Sequence, residues 1–202
     1  NNGTIIIPTF NWDFCKGLGF HYKNTLSNSG SLGNYALGHG EFLRSQNPIY
    51  SFVSTGFHSK KISKMKHKSC FGFQSPFGFM IDINAKNLFI NLDYKNSGFT
   101  FLHVAEEYQQ IKYRTFKKFS GYIITGKIKK KITTQMFVRD LKKKTKAKIL
   151  KSMDKELIRN NAMRKFKFDN FDLSTLFLKK TFNIFKRELI NKNHIEIINP
   201  KV

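Results

Sequence analysis

Three residues near the middle of the chain have the types and spacing that acid–base chemistry requires. In Thr100-Phe-Leu-His103-Val-Ala-Glu106-Glu107 the imidazole and the first carboxylate stand three residues apart. On a helix that spacing puts them on one face. A carboxylate beside an imidazole raises its basicity and fixes its tautomer, which is what a general base needs. Thr100 lies one turn earlier and can offer a hydroxyl on the same side. By spacing alone an H-x-x-E pair is also an ordinary helix-surface pair, so the neighbouring segments have to decide.

Those segments read as a strand, a turn and a helix. "AKNLFINLDY" (residues 85–94) is too continuously apolar for a surface edge and predicts a buried strand. Within 96–110, Gly98 and Thr100 supply turn and cap residues, and the stretch after them is expected to be a helix. A histidine that follows a strand through a glycine turn falls near the carboxyl end of a sheet, where open α/β sheets place their sites. Upstream, "GTIIIPTF" (3–10) and "PIYSFVSTG" (48–56) predict strands, and the glycine-rich stretch 11–48 between them reads as a long irregular connection. Residues 59–69 read as a short helix or basic loop, and 70–81 as a turn followed by a helix start. Downstream, 119–141 predicts two strands joined through Gly126. The remainder is expected to form two amphipathic helices, about 142–167 and 173–192. Their Phe and Leu stripe reads as core or as a subunit contact, which leaves a homodimer open.

Two further stretches have the composition of ligand contacts. "RSQNPIYSF" (44–52) combines Arg44, Ser45 and Ser51 around a proline turn, a set able to hold phosphate; its plainer reading is a loop entering a strand. "FGFQSPFGFM" (71–80) sets glycines on both sides of Ser75-Pro76, which permits close approach of backbone to a ligand, or a tight turn with aromatic packing.

Composition narrows the function class. The 202 residues include 36 Lys and Arg against 13 Asp and Glu, a formal net charge of +23. Residues 1–100 carry +6 of this and 101–202 carry +17. A polyanionic partner fits that charge. Yet lysine far outnumbers arginine, whereas contact-selected nucleic-acid proteins lean on arginine, and most phenylalanines lie in apolar runs rather than as exposed stacking platforms. Two cysteines exclude a disulfide framework, so a reducing, cytoplasmic setting is expected. The apolar runs fall short of the roughly 20 residues of a membrane span. The six histidines show no convergent ligand spacing, so no metal is expected.

In their order along the chain, "GTIIIPTFNWDF", "RSQNPIYSFVSTG", "FGFQSPFG", "NLFINLDYKNSGFTFLHVAEE" and, less specifically, "YRTFKKFSG" and "MFVRDL" resemble the aminoglycoside 3-N-acetyltransferase family. The resemblance implies an α/β fold with a mixed central sheet flanked by helices, distinct from the GCN5-related acetyltransferases. It implies transfer of an acetyl or other acyl group from acyl-CoA to the amine of an amino sugar. Carried over, His103 takes the proton of the attacking amine, Glu106 orients the imidazole, and Thr100 hydrogen-bonds near the thioester. Arg44, Ser45, Ser51, Phe52, Ser75 and Pro76 fall to the CoA cleft, and Thr9, Trp12 and Glu107 to the acceptor. No nucleic-acid partner and no metal are implied.

Two departures shape the expectation. Drug-modifying members usually carry R-S-x-H-P, and Asn47 replaces that histidine here. This variant looks more like relatives associated with surface-polysaccharide synthesis, so a nucleotide-linked amino sugar is the expected acceptor and an aminoglycoside antibiotic the alternative. Family members also carry a segment before "GTIIIPTF". The expected organisation is therefore an acyltransferase core over 1–141 lacking its N-terminal segment, with a helical part over 142–202. An inactive remnant and a basic nucleic-acid-binding protein are the rivals from other classes.

Overall fold

The computed structural model describes residues 3–65, 69–90, 100–143 and 145–199. In chain order the first elements are β1 (Thr4–Pro8), a 3-10 turn (Asp13–Lys16), β2 (Gly19–His21), α1 (Ser31–Leu37), β3 (Leu43–Arg44), β4 (Phe52–Gly56) and α2 (Ser59–Ser63). Next come α3 (Pro76–Asp82), β5 (Lys86–Ile90), α4 (Thr100–Tyr108), β6 (Arg114–Thr125) and β7 (Ile128–Arg139). The last are β8 (Lys146–Ile149), α5 (Met153–Arg159), β9 (Met163–Lys167), β10 (Asp172–Phe177), α6 (Leu178–Asn191) and β11 (Ile195–Ile198). The chain divides into two compact units that interleave along the sequence. Asn1–Cys70, Gln74–Pro76 and Phe116–Met136 make the first; Phe71–Phe73, Phe77–Thr115 and Phe137–Val202 make the second.

In the first unit β4 is the central strand of an antiparallel sheet ordered β1-β4-β3. β1 lies at its edge, where Pro8 removes no needed donor, and pairs with β4 from Thr4↔Gly56 to Pro8↔Phe52. A second sheet runs β2-β6-β7, with β2 parallel to β6. Gly126 turns β6 into β7 at φ +58°, the left-handed region that suits glycine. The stretch read as irregular, residues 11–48, in fact holds the 3-10 turn, β2, α1 and β3. These elements span two to seven residues, too short for sequence periodicity to declare them.

The second unit carries an antiparallel sheet ordered β5-β10-β9 and an antiparallel pair β8-β11. α6 buries Leu178, Thr181, Phe182, Phe185 and Leu189 on one stripe and packs chiefly against α4, and Leu157, Leu176 and Ile195 of the same unit are closed to solvent. Here the sequence expectation is corrected. The first predicted C-terminal helix is β8, α5 and β9, and only the later part of the second is helical. Lys146-Ala-Lys-Ile149 alternates exposed and half-buried, a period of two that its helix-favouring lysines conceal. Asn161 at φ +51° ends the α5 segment, and Leu173, Leu176 and Phe177 belong to β10 rather than to a helical stripe. β5 is a strand where 85–94 predicts one, as far as Ile90, but it is the edge of its sheet and leaves Leu88 exposed, so the buried position expected from its apolar run is corrected; the rest of the run, and the Gly98 turn, lie outside the described residues.

Glu156 and Glu188 are buried in this unit as anions among cations. Arg187 reaches both, and Arg159 and Asn160 reach Glu156. Burial works to raise the Glu156 carboxyl, but the Arg187 and Asn160 hydrogen bonds and the two guanidinium charges outweigh it and hold the group below the usual range. Thr181 has no such compensation: its hydroxyl is fully buried without a hydrogen-bond partner among the described residues. Thr181→Val keeps the shape and removes the orphan group, so we expect a gain of about 1 kcal/mol, read as a higher urea midpoint at unchanged slope. None of the described helices is long and apolar enough to cross a membrane.

Candidate active site

The second unit holds the histidine–carboxylate pair. α4 buries Phe101, Leu102, Val104 and Ala105, and the same packing takes Glu106 down to 1% exposure. His103 is one turn from Thr100, the first residue of α4, and its side chain keeps 29% of its surface open. His103 Nδ1 lies 2.6 Å from Glu106 Oε2, as the i, i+3 spacing predicts. Nδ1 is met both by this carboxylate, which can only accept, and by Arg114 Nη2 at 2.8 Å, which can only donate; in the tautomer whose Nδ1–H donates to Glu106, Nε2 keeps the lone pair that a base uses. The Phe71 ring meets the imidazole edge-on at 5.2 Å between centroids, which fixes the plane of the ring.

Two residues that sequence reasoning had assigned no role complete the pair. α4 ends in backbone bonds from Gln109 to Ala105, Gln110 to Glu107 and Ile111 to Glu106, with Gln110 in the left-handed region at φ +48°. That reversal brings the chain back under the helix. Tyr113 hydroxyl then donates to Glu106 Oε1 at 2.8 Å, and Arg114 Nε sits 2.7 Å from Glu106 Oε2. The guanidinium also places Nη2 at 2.8 Å from His103 Nδ1 and 3.5 Å from Nε2, and donates Nη1 to the Phe137 carbonyl at 2.9 Å. Burial, and then the neighbouring Glu106 charge and hydrogen bond, push the Tyr113 phenol well up, so it stays a donor throughout the working pH range. "YRTF" was quoted above only as a family-like segment; its signal was a phenol and a guanidinium just past a helix end.

The predicted cleft residues gather in the first unit. Thr9 and Ser51 hydroxyls lie 3.0 Å apart, and Ser51 also donates to the Thr9 carbonyl at 2.7 Å. Arg44 donates to Ser51 Oγ, to the Thr9 carbonyl at 3.0 Å and to the Thr25 carbonyl at 2.5 Å, and its guanidinium covers the Phe20 ring. Burial pulls this guanidinium down to about 10, still charged at neutral pH. Ser45 joins the start of β4 by accepting from the Phe52 amide. Asn47, the family departure, accepts from the Ile49 and Tyr50 amides and is 2% exposed, so it caps the turn before β4. Ser75 and Pro76 are buried in this unit, and Trp12 is 39% exposed, edge-on to Tyr50. Glu107 sits buried in the second unit beside Glu106. Burial, only partly offset by the Lys117 charge, raises the Cys15 thiol, which disfavours the nucleophilic thiolate.

Solved structures share this arrangement of elements. YokD of Bacillus subtilis superposes with a TM-score of 0.71 at 19% identity, covering 95% of this chain and 76% of its own. The aminoglycoside acetyltransferase AAC(3)-Xa gives 0.73 at 13% identity (92% and 74%), and AAC-IIIb, solved with CoASH, gives 0.73 at 14% (99% and 80%). The fold is thus that of α/β acetyltransferases. No curated protein sequence matches the chain. The sequence profile of the aminoglycoside 3-N-acetyltransferases, however, matches residues 1–189, and the chain belongs to that family. It is an acyltransferase, of a family whose acyl donor is acetyl-CoA.

Proposed function

We propose that the chain transfers an acetyl group from acetyl-CoA to the amine of an amino sugar, with a nucleotide-linked sugar as the acceptor. The observation that carries this reading is the His103–Glu106 pair at 2.6 Å on a helix that leaves the imidazole partly open. An ammonium has no lone pair, so the amine must attack in neutral form, and the proton it sheds needs a base. His103 Nε2 accepts that proton as the amine nitrogen bonds to the thioester carbonyl carbon. The carbon–sulfur bond then breaks, and the thiolate leaves to be protonated. Glu106 holds the ring in the tautomer that leaves Nε2 open. Thr100, one turn earlier, serves the thioester side. Arg44, Ser45, Ser51, Phe52, Ser75 and Pro76 are assigned to the donor cleft, and Thr9, Trp12 and Glu107 to the acceptor. Because Arg44 and Ser51 are already bonded to the protein itself, their part in that cleft is to hold its wall in shape.

The acceptor class rests on charge. A protein at +23 attracts a nucleotide-linked sugar and repels a polycationic aminoglycoside. The aminoglycoside alternative draws support from relatives solved with sisomicin, apramycin and a gentamicin. A cytoplasmic setting fits the free cysteines. Thiol release from acetyl-CoA, measured with both acceptor classes, separates the two. We expect release with nucleotide-linked amino sugars, and turnover confined to aminoglycosides overturns the acceptor assignment. Absence of release with every amine overturns the transferase reading itself.

A further inference from the structure

The charge arithmetic around His103 points to a role for Arg114 that neither the motif nor the family assignment supplies. Glu106 is a carboxylate at 1% exposure, and a buried carboxylate stays ionised only beside a compensating cation. Two candidates lie within contact of Oε2: the imidazole of His103 at 2.6 Å and the guanidinium of Arg114 at 2.7 Å. Only one of them is needed to balance one negative charge. If the imidazole did so, it would be imidazolium, and a protonated ring cannot take a proton from an amine.

We infer that Arg114 is a positioning residue that neutralises Glu106 in place of His103 and so keeps the imidazole free to act as the base. Three features of its geometry support this. Its ion pair with Oε2 is ionic rather than directional, because the oxygen lies off the Nε–H axis and makes no aligned hydrogen bond there. The carboxylate can therefore turn its oxygen to the Nδ1–H. The guanidinium is also anchored elsewhere, through Nη1 to the Phe137 carbonyl, so it does not depend on Glu106 for its place. Finally, Nη2 stands 2.8 Å from Nδ1 and 3.5 Å from Nε2; a guanidinium N–H only donates, so an imidazolium, with no lone pair to accept and a like charge, is opposed there on both counts. Among the described residues, the charged or titratable groups facing the imidazole are Glu106 and Arg114, with the Tyr113 phenol behind Glu106 as a neutral donor. Phe71 closes the ring edge and adds no charge.

This inference rests on the proposed function for its catalytic consequence, but its electrostatic core stands apart from it. The test compares wild type with Arg114→Met, Arg114→Gln and Arg114→Lys, using one amine acceptor throughout so that its own titration is common to all. With the neutral variants the counter-cation left to Glu106 among the described residues is His103. The acidic limb of the kcat profile is then expected to move up by about one pH unit or more. On the acidic limb itself kcat falls about tenfold at a given pH, and less above it, while KM for acetyl-CoA stays within about twofold. Arg114→Lys restores the limb, because it returns the charge without the fork. In parallel, nitrogen-detected NMR of the His103 ring follows its protonation with no substrate present. The ring is expected to remain imidazolium to higher pH in Arg114→Met or Arg114→Gln than in wild type. An imidazole titration unchanged in whichever neutral variant folds overturns the inference, as does a kcat loss that Lys does not rescue. Failure of the transferase reading would show differently: no thiol release from wild type, with the ring titration still deciding the part played by Arg114.

Discussion

His103→Ala is expected to lower kcat for acetyl transfer by about a thousandfold at neutral pH, within the range general base catalysis contributes. The folded state should survive the change. The imidazole is the partly exposed member of the cluster, and its removal leaves Glu106 ionised between Arg114 and the Tyr113 hydroxyl. No buried charge is stranded, so the thermal midpoint should stay close to that of wild type. A steady-state thiol-release assay with a circular-dichroism melt reads both quantities. Turnover within threefold of wild type would remove His103 from the chemistry, and with it the proposed mechanism.

Gly78→Ala should act in the opposite way, through the fold. Alanine in a helix is worth about 1 kcal/mol more than glycine, which would favour the change within α3. The packing forbids it. A Cβ at Gly78 would overlap the Phe73 backbone, 2.5 Å from its carbonyl carbon, and main chain cannot rotate aside as a long side chain can. We expect a net loss of about 3 kcal/mol and a fall of roughly 8 °C in melting temperature. Phe73 packs edge-on to Tyr108 at the end of α4 and to Phe182 of α6, and Phe71 two residues earlier faces His103. Displacement of this backbone therefore disturbs the His103 ring as well, and kcat should drop alongside stability if that ring is the proposed base. A melting temperature within about 2 °C of wild type would show that Phe73 yields more easily than this contact allows.

The parts of the site legible in the sequence were those whose signal is local. His103 and Glu106 were placed on one face by a three-residue spacing, and the helix that carries them runs where its apolar residues indicated. Gly126 announced the β6–β7 turn for the same reason, since a left-handed position asks for glycine. The second unit was less readable. Between 142 and 177, lysine, leucine and methionine favour a helix, while tertiary pairing across β5-β10-β9 and β8-β11 makes strands of much of the stretch. Tyr113 and Arg114 escaped notice for a different reason. Nothing in their own spacing links them to Glu106; the link is Gln110, a non-glycine residue at φ +48° that no sequence rule singles out.

That single left-handed residue has a consequence for how the chain folds. The imidazole, the carboxylate, the phenol and the guanidinium all fall between residues 103 and 114, so assembling them closes only a short loop. Closure of a loop of about ten residues takes tens of nanoseconds and costs little chain entropy. The charged centre can therefore form early, before the distant strand pairings such as β5 with β10 and β8 with β11 are made. A charged cluster built from such local contacts depends less on those late pairings for its geometry than one assembled from across the chain.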